Sequence, residues 1–533
     1  MAGLLTRIRN RFTTTVYRAF EVGRTGRRLA SVPNVTTAIN SLIRRYGRTV
    51  IARSRYLCEN NPYATQARSV YVAALAGTGI KPASLLKNQP GAREALQELW
   101  MDWTDEADAD MLTDFYGLQS IIATELFEAG ECFVRIRPRR EGDMDTVPMQ
   151  LQLLPSEMLP YDNHQFGIGA GNRIEMGIEF DGIGRRVAYH FLRQHPGADT
   201  SVILGPTSTI RVPASEVLHI YNPIRAGQLR GIPKTLSSMI TLAMMDLYDD
   251  AELERKRTTA LFAVFVTRPK GEDGDHPFGV AGEHVQRDVT GTYPNAGSLV
   301  GSNTSSTGEF NLDPGAVIDL GYGEDVKFSA PADVGNQYEA YQYRMLLRAA
   351  AGMGVPYASM TGDLRSANYG SIRAGLVEFR RQVEAEQHRT MVFQFCRPVW
   401  RRWFGLAVIA GLLPWTPQAF DADMRAITRV KWVPPKWDWV DPLKDLQAEA
   451  LAVEKGFKAR GDVIEATGHD PEEVDNRIAA DQEREERLGL NFSAQPAPSP
   501  GGDGSVDGGD GEDDEEPDEE TPAEEDDEDA DEE

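Results

Sequence analysis

The chain has 533 residues, 41% of them hydrophobic, and a formal charge of −25 from 56 Lys+Arg against 81 Asp+Glu. The apolar fraction excludes wholesale disorder, and no apolar run approaches the roughly 18 residues that a membrane span needs. Taken whole, the charge argues against a polyanionic partner, but residues 501–533 hold 20 Asp/Glu and no base, whereas residues 1–55 hold 12 Arg and one acid, Glu21.

The start, 1–33, is Arg-rich and acid-poor, without the apolar core of a secretory signal. It reads as a targeting segment or as an arm that touches nucleic acid or a partner protein. From a candidate cap at Asn34, Ile39, Leu42, Ile43, Tyr46 and Val50 recur at helical spacing and predict a helix to about Leu57. Asn60-Asn61-Pro62 breaks it. A second helix over 63–75 carries Ala67, Val70, Tyr71 and Ala74 on one face, and Gly77-Thr78-Gly79 stops it before an extended IKPAS. Helices near 91–104 and 114–129 follow, the second feeding straight into a strand, ECFVRIRP (131–138). Short branched or aromatic runs predict strands at 151–155, 174–180, 185–193 and 216–221, with Asp181-Gly182-Ile183-Gly184 as a hairpin turn.

A helix over 233–260 has Pro233 in its first turn and a partial stripe of Met239, Leu242, Ala243, Leu247 and Leu253. Residues 270–315, rich in Gly, Ser, Thr, Asn and Asp, read as a small β element with mobile loops or as an exposed insertion. A helix over 336–352 and a Gly/Pro-punctuated connector lead to the longest helical stretch, 371–411, which Pro398 should kink. Its first half is amphipathic through Ile372, Leu376, Phe379 and Val383. Its second half (Phe393, Phe395, Trp400, Trp403, Phe404, Leu406) is apolar nearly all round and predicts deep burial. A last helical region, 441–488, breaks at Gly461-Asp462. Residues 491–533 then read as a disordered acidic tail, because almost nothing in them can bury enough surface to offset the ordering entropy.

The search for chemistry is mostly negative. GQLRGIPKT (227–235) has only two residues between Gly231 and Lys234 and so lacks phosphate-loop spacing. GIGAGN (167–172) lacks the third glycine of a dinucleotide fingerprint and reads as a loop. There is no HExxH, GxSxG or CxxC. Cys58, Cys132 and Cys396 are widely spaced, make no zinc or redox motif, and fit a reducing compartment. His219, in the strand EVLHIY, is expected to be a packed or surface histidine rather than a ligand, and Asp249-Asp250 a solvated helix face. Neither a cofactor, nor a metal, nor an enzymatic activity is expected. Two cationic groups remain. Arg255, Lys256 and Arg257 sit near the end of the 233–260 helix, where they complement the negative helix terminus or face a channel or partner. Arg365, Asn368 and Tyr369 place a cation, an amide and an aromatic in the connector. Those types suit phosphate and base contacts, and equally an ordinary loop.

ARSRYLCENNPYATQARSVYVAALAGTGIKP, IEMGIEFDGIGRRVAYHF, VLHIYNPIRAGQLRGIPKTLSSMITLAMMDLYDDAELERKR, LLRAAAGMGVPYASMTGDLRSANYGSIRAGLVEF and WVDPLKDLQAEALAVEKG occur in an order that resembles the lambda-type family of tailed-phage portal proteins, over about 34–490. The resemblance implies a helix-rich mixed α+β portal fold with wing, stem, clip and helical crown, assembled as a ring. Mapped onto this chain it gives an N-terminal arm (1–33), a first wing part (34–232), stem helix 1 (233–261), a clip (262–333), stem helix 2 (334–354), a tunnel loop (355–371), the long kinked helix with the rest of the wing (372–440), a crown (441–490) and the acidic tail (491–533). It also implies a dodecameric head–tail connector at one capsid vertex of the virion, assembled in the host bacterial cytoplasm, with double-stranded DNA in its channel. The implied partners are the terminase large subunit, major capsid and scaffold proteins and head–tail adaptors, with no membrane. Arg365, Asn368 and Tyr369 become tunnel-loop candidates for facing DNA, and Arg255, Lys256 and Arg257 stem candidates. A conduit must hold DNA without adhering to it, and each neutralised phosphate strengthens binding, so a net-acidic body with few cationic points fits a low-friction channel. The alternatives are another structural virion protein, such as a capsid or adaptor subunit, and, further off, a packaging enzyme.

Overall fold

The computed structural model describes residues 36–86, 90–140, 142–168, 171–198, 209–260, 264–266, 317–319, 337–365, 368–437, 442–467, 469 and 471–490. The arm 1–33, almost all of 262–333 and the tail 491–533 lie outside the described residues.

Helix α1 (Ile39–Asn60) starts after Ala38, which offers no side-chain acceptor, and not after Asn34. Asn61 ends α1 and opens α2 (Pro62–Leu75). Its side chain accepts from the Ala64 N–H at 3.1 Å, and Pro62 fills a first position that needs no N–H partner. After β1 (Lys81–Ser84), α3 (Pro90–Glu106) and α4 (Phe115–Glu128) follow. Asp114 caps α4 by accepting from Gly117 at 2.7 Å. Strand β2 (Glu131–Pro138) is central in a three-stranded antiparallel sheet between β3 (Met149–Pro155) and β9 (Val217–Tyr221).

The run 174–180 is not one strand. It folds into β5 (Asn172–Glu175) and β6 (Ile178–Phe180), joined by Met176 and Gly177 at φ 49° and 79°. Two consecutive positive φ values give the tight turn whose twist suits a two-residue hairpin. With β4 (Gln165–Ile168), β7 (Arg186–Leu192) and β8 (Thr209–Pro213), they make a five-stranded meander in chain order. Of GIGAGN, which reads as a loop in the sequence, Gly167 and Ile168 end β4 and Asn172 opens β5, with Ile168 paired to Asn172, while residues 169–170 lie outside the described residues.

Helix α5 (Met239–Ala260) starts six residues beyond Pro233, which precedes a 3₁₀ turn (Lys234–Ser237) instead. Short β10 (Val264–Val266) pairs in parallel with β11 (Val317–Asp319). Helix α6 (Gln337–Met353) then returns along α5, and the connector contains a one-turn helix, α7 (Tyr357–Thr361). The longest stretch begins as α8 (Tyr369–Glu386) and passes through a π-helical segment, Gln387–Cys396, into α9 (Arg397–Ile409). The change of helical register thus precedes Pro398, the second residue of α9. Gln387, buried at the start of the π segment, donates to the Ala74 and Leu75 carbonyls at the end of α2, two groups the helix itself cannot satisfy.

The apolar half of that stretch is buried at Phe395, Trp400, Trp403 and Phe404, but Phe393 is 61% exposed. The buried rings join α3 and α4: Trp100 lies 5.0 Å from both Trp400 and Trp403, and Phe115 stacks on Phe395 at 5.3 Å. Helix α10 (Pro417–Ile427) follows, and β12 (Val430–Val433) then pairs antiparallel with β1. The C-terminal region is three helices, α11 (Pro442–Glu454), α12 (Arg460–Ala466) and α13 (Pro471–Leu488). The first break is at Gly456, with φ 74°; Gly461 and Asp462 lie inside α12. Residues 1–471 form one unit and 472–533 a second, described only through α13, which buries none of its residues, and the two residues that follow it.

Candidate functional site

The segment 222–238 carries the chain from the sheets into α5, and its residues explain GQLRGIPKT. The Gln228 side chain accepts from the Ile224 and Arg225 N–H groups and donates to the Arg230 carbonyl at 2.8 Å, coiling the loop on itself. Arg230 is fully buried. Its Nε donates to Glu131 Oε1 at 2.7 Å, its Nη atoms to the Leu159, Met176 and Ser156 carbonyls, and its guanidinium lies 4.0 Å from the Tyr161 ring centroid. Glu131, also fully buried, further accepts from Ser156 Oγ (2.5 Å), the Gly231 N–H (2.7 Å) and His219 Nε2 (2.9 Å). Gly231 has to be glycine here, since a Cβ would stand 2.2 Å from the Gly130 oxygen. Burial alone would push the Glu131 carboxyl up, but Arg230 and His219 overcome this and hold it well below the usual carboxylate range.

His219 is a packed histidine, as expected. Its ring stacks between Phe133 and Tyr221, with both centroids at 4.4 Å. Arg186 Nη1, 3.1 Å from Nδ1, can only donate, so Nδ1 accepts and Nε2 carries the proton that Glu131 receives. Burial holds this ring neutral, with its pKa lowered to about 4.

Lys234, where a phosphate loop would have its lysine, is occupied. Its Nζ reaches Glu386 at 2.8 Å and lies 4.6 Å from the Tyr71 ring, while the Tyr71 hydroxyl donates to the other Glu386 oxygen. Thr235 and Ser54 share a hydrogen bond at 2.6 Å, and Ser237 and Ser238 donate to the Gly352 and Ala349 carbonyls near the end of α6. One short segment therefore binds α1, the sheets, α6 and the last turn of α8 together.

From that junction α5 and α6 run antiparallel. Ser238 meets Ala349 at one end. Further along, Tyr248 stacks on Tyr338 at 5.8 Å, and Lys256 Nζ lies 5.4 Å from the Tyr338 ring. Asp249 is not merely solvated: it accepts from the Tyr338 hydroxyl and Gln342 Nε2 across the pair, at 2.9 and 2.8 Å, while Asp250 is exposed.

The three cations near the end of α5 all face acids of their own helix. Arg255 grips Glu252 with two bonds, at 2.9 and 2.6 Å. Lys256 Nζ is 3.9 Å from Glu252, and Arg257 is 3.7 Å from Glu254. The connector behaves alike. Arg365 holds both Asp363 oxygens, at 3.0 and 3.1 Å, and meets Glu339, near the start of α6, at 2.8 Å. The hydrogen bonds from Arg365 lower Asp363 to about 2. Because Glu339 lies at the far end of α6 from the connector's origin, these contacts fold the connector back along that helix. Asn368 caps α8: its side chain accepts from the Ser371 N–H at 2.7 Å while Ser371 Oγ accepts from the Asn368 N–H at 3.2 Å. Tyr369 is the first helical residue after it. Arg365 and Asn368 thus have partners within the subunit, and the two sets of candidates lie in different elements.

Residues 25–387 match the family described as phage portal protein, lambda family. The chain belongs to that family. Portal proteins are structural components of phage or phage-like particles at the head–tail connection, not enzymes. Among relatives, the chain is 25% identical over 411 residues to a probable portal protein of Halomonas phage phiHAP-1, covering 75% of this chain and 72% of that protein. It is 22% identical over 268 residues to portal protein B of Escherichia phage lambda, covering 48% of each. The neck of a native gene transfer agent particle computed with C12 symmetry aligns with 80% of this chain and 94% of its own, at 15% identity and a TM-score of 0.38.

Sequence reasoning missed Glu131, Arg230, Lys234 and Glu386. One signal was available: Glu131 stands between a glycine and the apolar run Cys132-Phe133-Val134, and a charge placed there needs a buried counter-charge.

Proposed function

We propose that twelve copies of this chain form a ring at one capsid vertex, with double-stranded DNA passing through its centre during packaging and ejection. The terminase large subunit and head–tail adaptors dock on its outer side, and capsid and scaffold proteins receive it during assembly. In this reading α5 and α6 are the stem (233–261 and 334–354) and the segment between them (262–333) is the clip. Residues 34–232 and 372–440 form the wing, 355–371 the tunnel loop and 441–490 the crown.

The observation that carries the reading, beside family membership, is the surface of α5 and of the 3₁₀ turn that leads into it. Leu236 in that turn and Ile240, Met244 and Leu247 in α5 are 44%, 73%, 56% and 62% exposed, the last three at helical spacing. A lone subunit has no use for a continuous apolar stripe, whereas a neighbouring copy would cover it. The compensated charges of Arg255, Lys256, Arg257 and Arg365 further support a bore that holds DNA weakly. Negative-stain microscopy of the purified protein tests this: rings with a central hole are expected, and particles that stay monomeric at all concentrations would refute it.

A further inference from the structure

Helix α1 presents Arg44, Arg45 and Arg48 to solvent on one face, with Leu42 (38% exposed) and Tyr46 (49%) beside them. Helix α3 presents Glu94, Glu98, Asp102 and Asp105 at i, i+4, i+8 and i+11, directly opposite its buried Leu96, Trp100 and Trp103. Met101, 51% exposed, lies at the edge of that acidic stripe. Among the described residues, none of these seven charged groups has an ion-pair partner, although ion pairs are plentiful elsewhere on the chain. The guanidinium of Arg45 only lies over Tyr46, at 5.3 Å.

The two faces are separate patches. Arg55 of α1 binds Glu125 and Glu128 at the C-terminal end of α4. Trp100 of α3 packs on Phe115 at the other end of α4, ring centroids 5.1 Å apart. From Phe115 to Glu125 is about 15 Å along a helix axis. A ring is closed by head-to-tail contacts, each needing two different, complementary patches on every copy.

We propose that the arginine face of α1 docks on the acidic face of α3 of the next copy, with Met101 meeting Leu42 and Tyr46. This rests on the ring reading above, and it names the contact that sets each copy's orientation. Charge matching of this kind steers encounter and rejects wrong registers, since like faces repel. The occupant is a second copy because the complementary stripe exists on the same chain and both stripes have an exposed apolar residue at their edge. A DNA backbone would match the arginines and leave α3 unexplained.

The test is a charge-reversal exchange in the full-length protein. One variant carries R44E, R45E and R48E; the other carries E94R, E98R and D102R. Each alone is expected to lose rings, with the subunit concentration for half-assembly raised at least about tenfold at low salt. Mixed one to one, the two variants are expected to regain rings, because alternating copies then match at every contact. Circular dichroism and melting temperature of each variant check that the fold survives, and the rescue by mixing cannot come from a misfolded subunit. If wild-type rings form and both variants ring as well as wild type, the proposal is overturned while the ring reading stands. If the arginine variant rings normally but loses retention of duplex DNA, the α1 face is a DNA contact and the proposal is overturned. If wild-type protein forms no rings, the ring reading itself fails.

Discussion

Glu131, Arg230 and His219 show what a few residues decide. A carboxylate and a guanidinium with no solvent exposure survive because nearly every polar atom has a partner. Removing one partner leaves the other buried and unpaired. Arg230→Met should therefore cost about 3–5 kcal/mol, far more than Arg44→Met on the surface, which should change stability by less than about 0.5 kcal/mol. Chemical denaturation midpoints of the two variants check this. His219 adds a pH dependence of defined sign. Folded, its pKa is lowered to about 4, against about 6.5 when unfolded. Between those values the unfolded chain takes up a proton that the native ring refuses. Stability is therefore lost as pH falls from about 6.5 toward 4, by up to about 3 kcal/mol from this group. Acidification from pH 7 to 5 should lower the unfolding midpoint of the wild type more than that of His219→Gln, whose amide does not titrate. Equal slopes for both proteins would show that other groups set the acid sensitivity.

At the scale of elements, local chemistry was readable and tertiary choice was not. The Asn61-Pro62 break, the Asp181–Gly184 turn and the strand ECFVRIRP all appear where composition puts them, because each depends on residues within one or two turns. The β5–β6 hairpin escaped because its turn asks Met176, not only Gly177, to adopt a positive φ. The π segment escaped because packing against α2, through Gln387, selects its register. The pairing of β1 with β12 joins strands from opposite ends of the described chain, and no local pattern announces it. The cationic candidates divide the same way. Glu252 and Glu254 stand three or four residues before Arg255, Lys256 and Arg257, so their pairing was written in the sequence. Glu339, which meets Arg365 from another helix, was not. The pairing on α5 predicts a gain of function. In Glu252→Gln/Glu254→Gln the three cations lose these acidic neighbours, and duplex DNA should bind more tightly. Its log affinity should fall more steeply with log salt, by roughly 0.9 per additional phosphate neutralised. Titration of a short duplex across a salt series measures both; an unchanged slope would mean that these cations never reach phosphate.

For the whole molecule the charge is best treated as a distribution. Residues 501–533 contribute −20 of the total of −25, so truncation after Leu490 leaves −5 on a chain that keeps every described element. If copies surround DNA, each brings that tail, and twelve of them place 240 carboxylates on one assembly. Their field raises the free energy of any duplex held nearby and offsets the arginines of residues 1–55. The reach of that field is set by screening, at about 10 Å in 0.1 M salt and about 3 Å in 1 M. The truncated protein should therefore bind duplex DNA more tightly than full-length protein at 0.05–0.1 M salt, roughly tenfold or more, with the two converging near 1 M. Particles built from it should form normally and release DNA more slowly. The first effect is read by fluorescence anisotropy on a labelled duplex, the second by the rate of DNA ejection from purified particles. Identical binding at low salt would remove the tail from the proposed handling of DNA. Tighter binding that persisted at 1 M would assign it a specific contact in place of a long-range field.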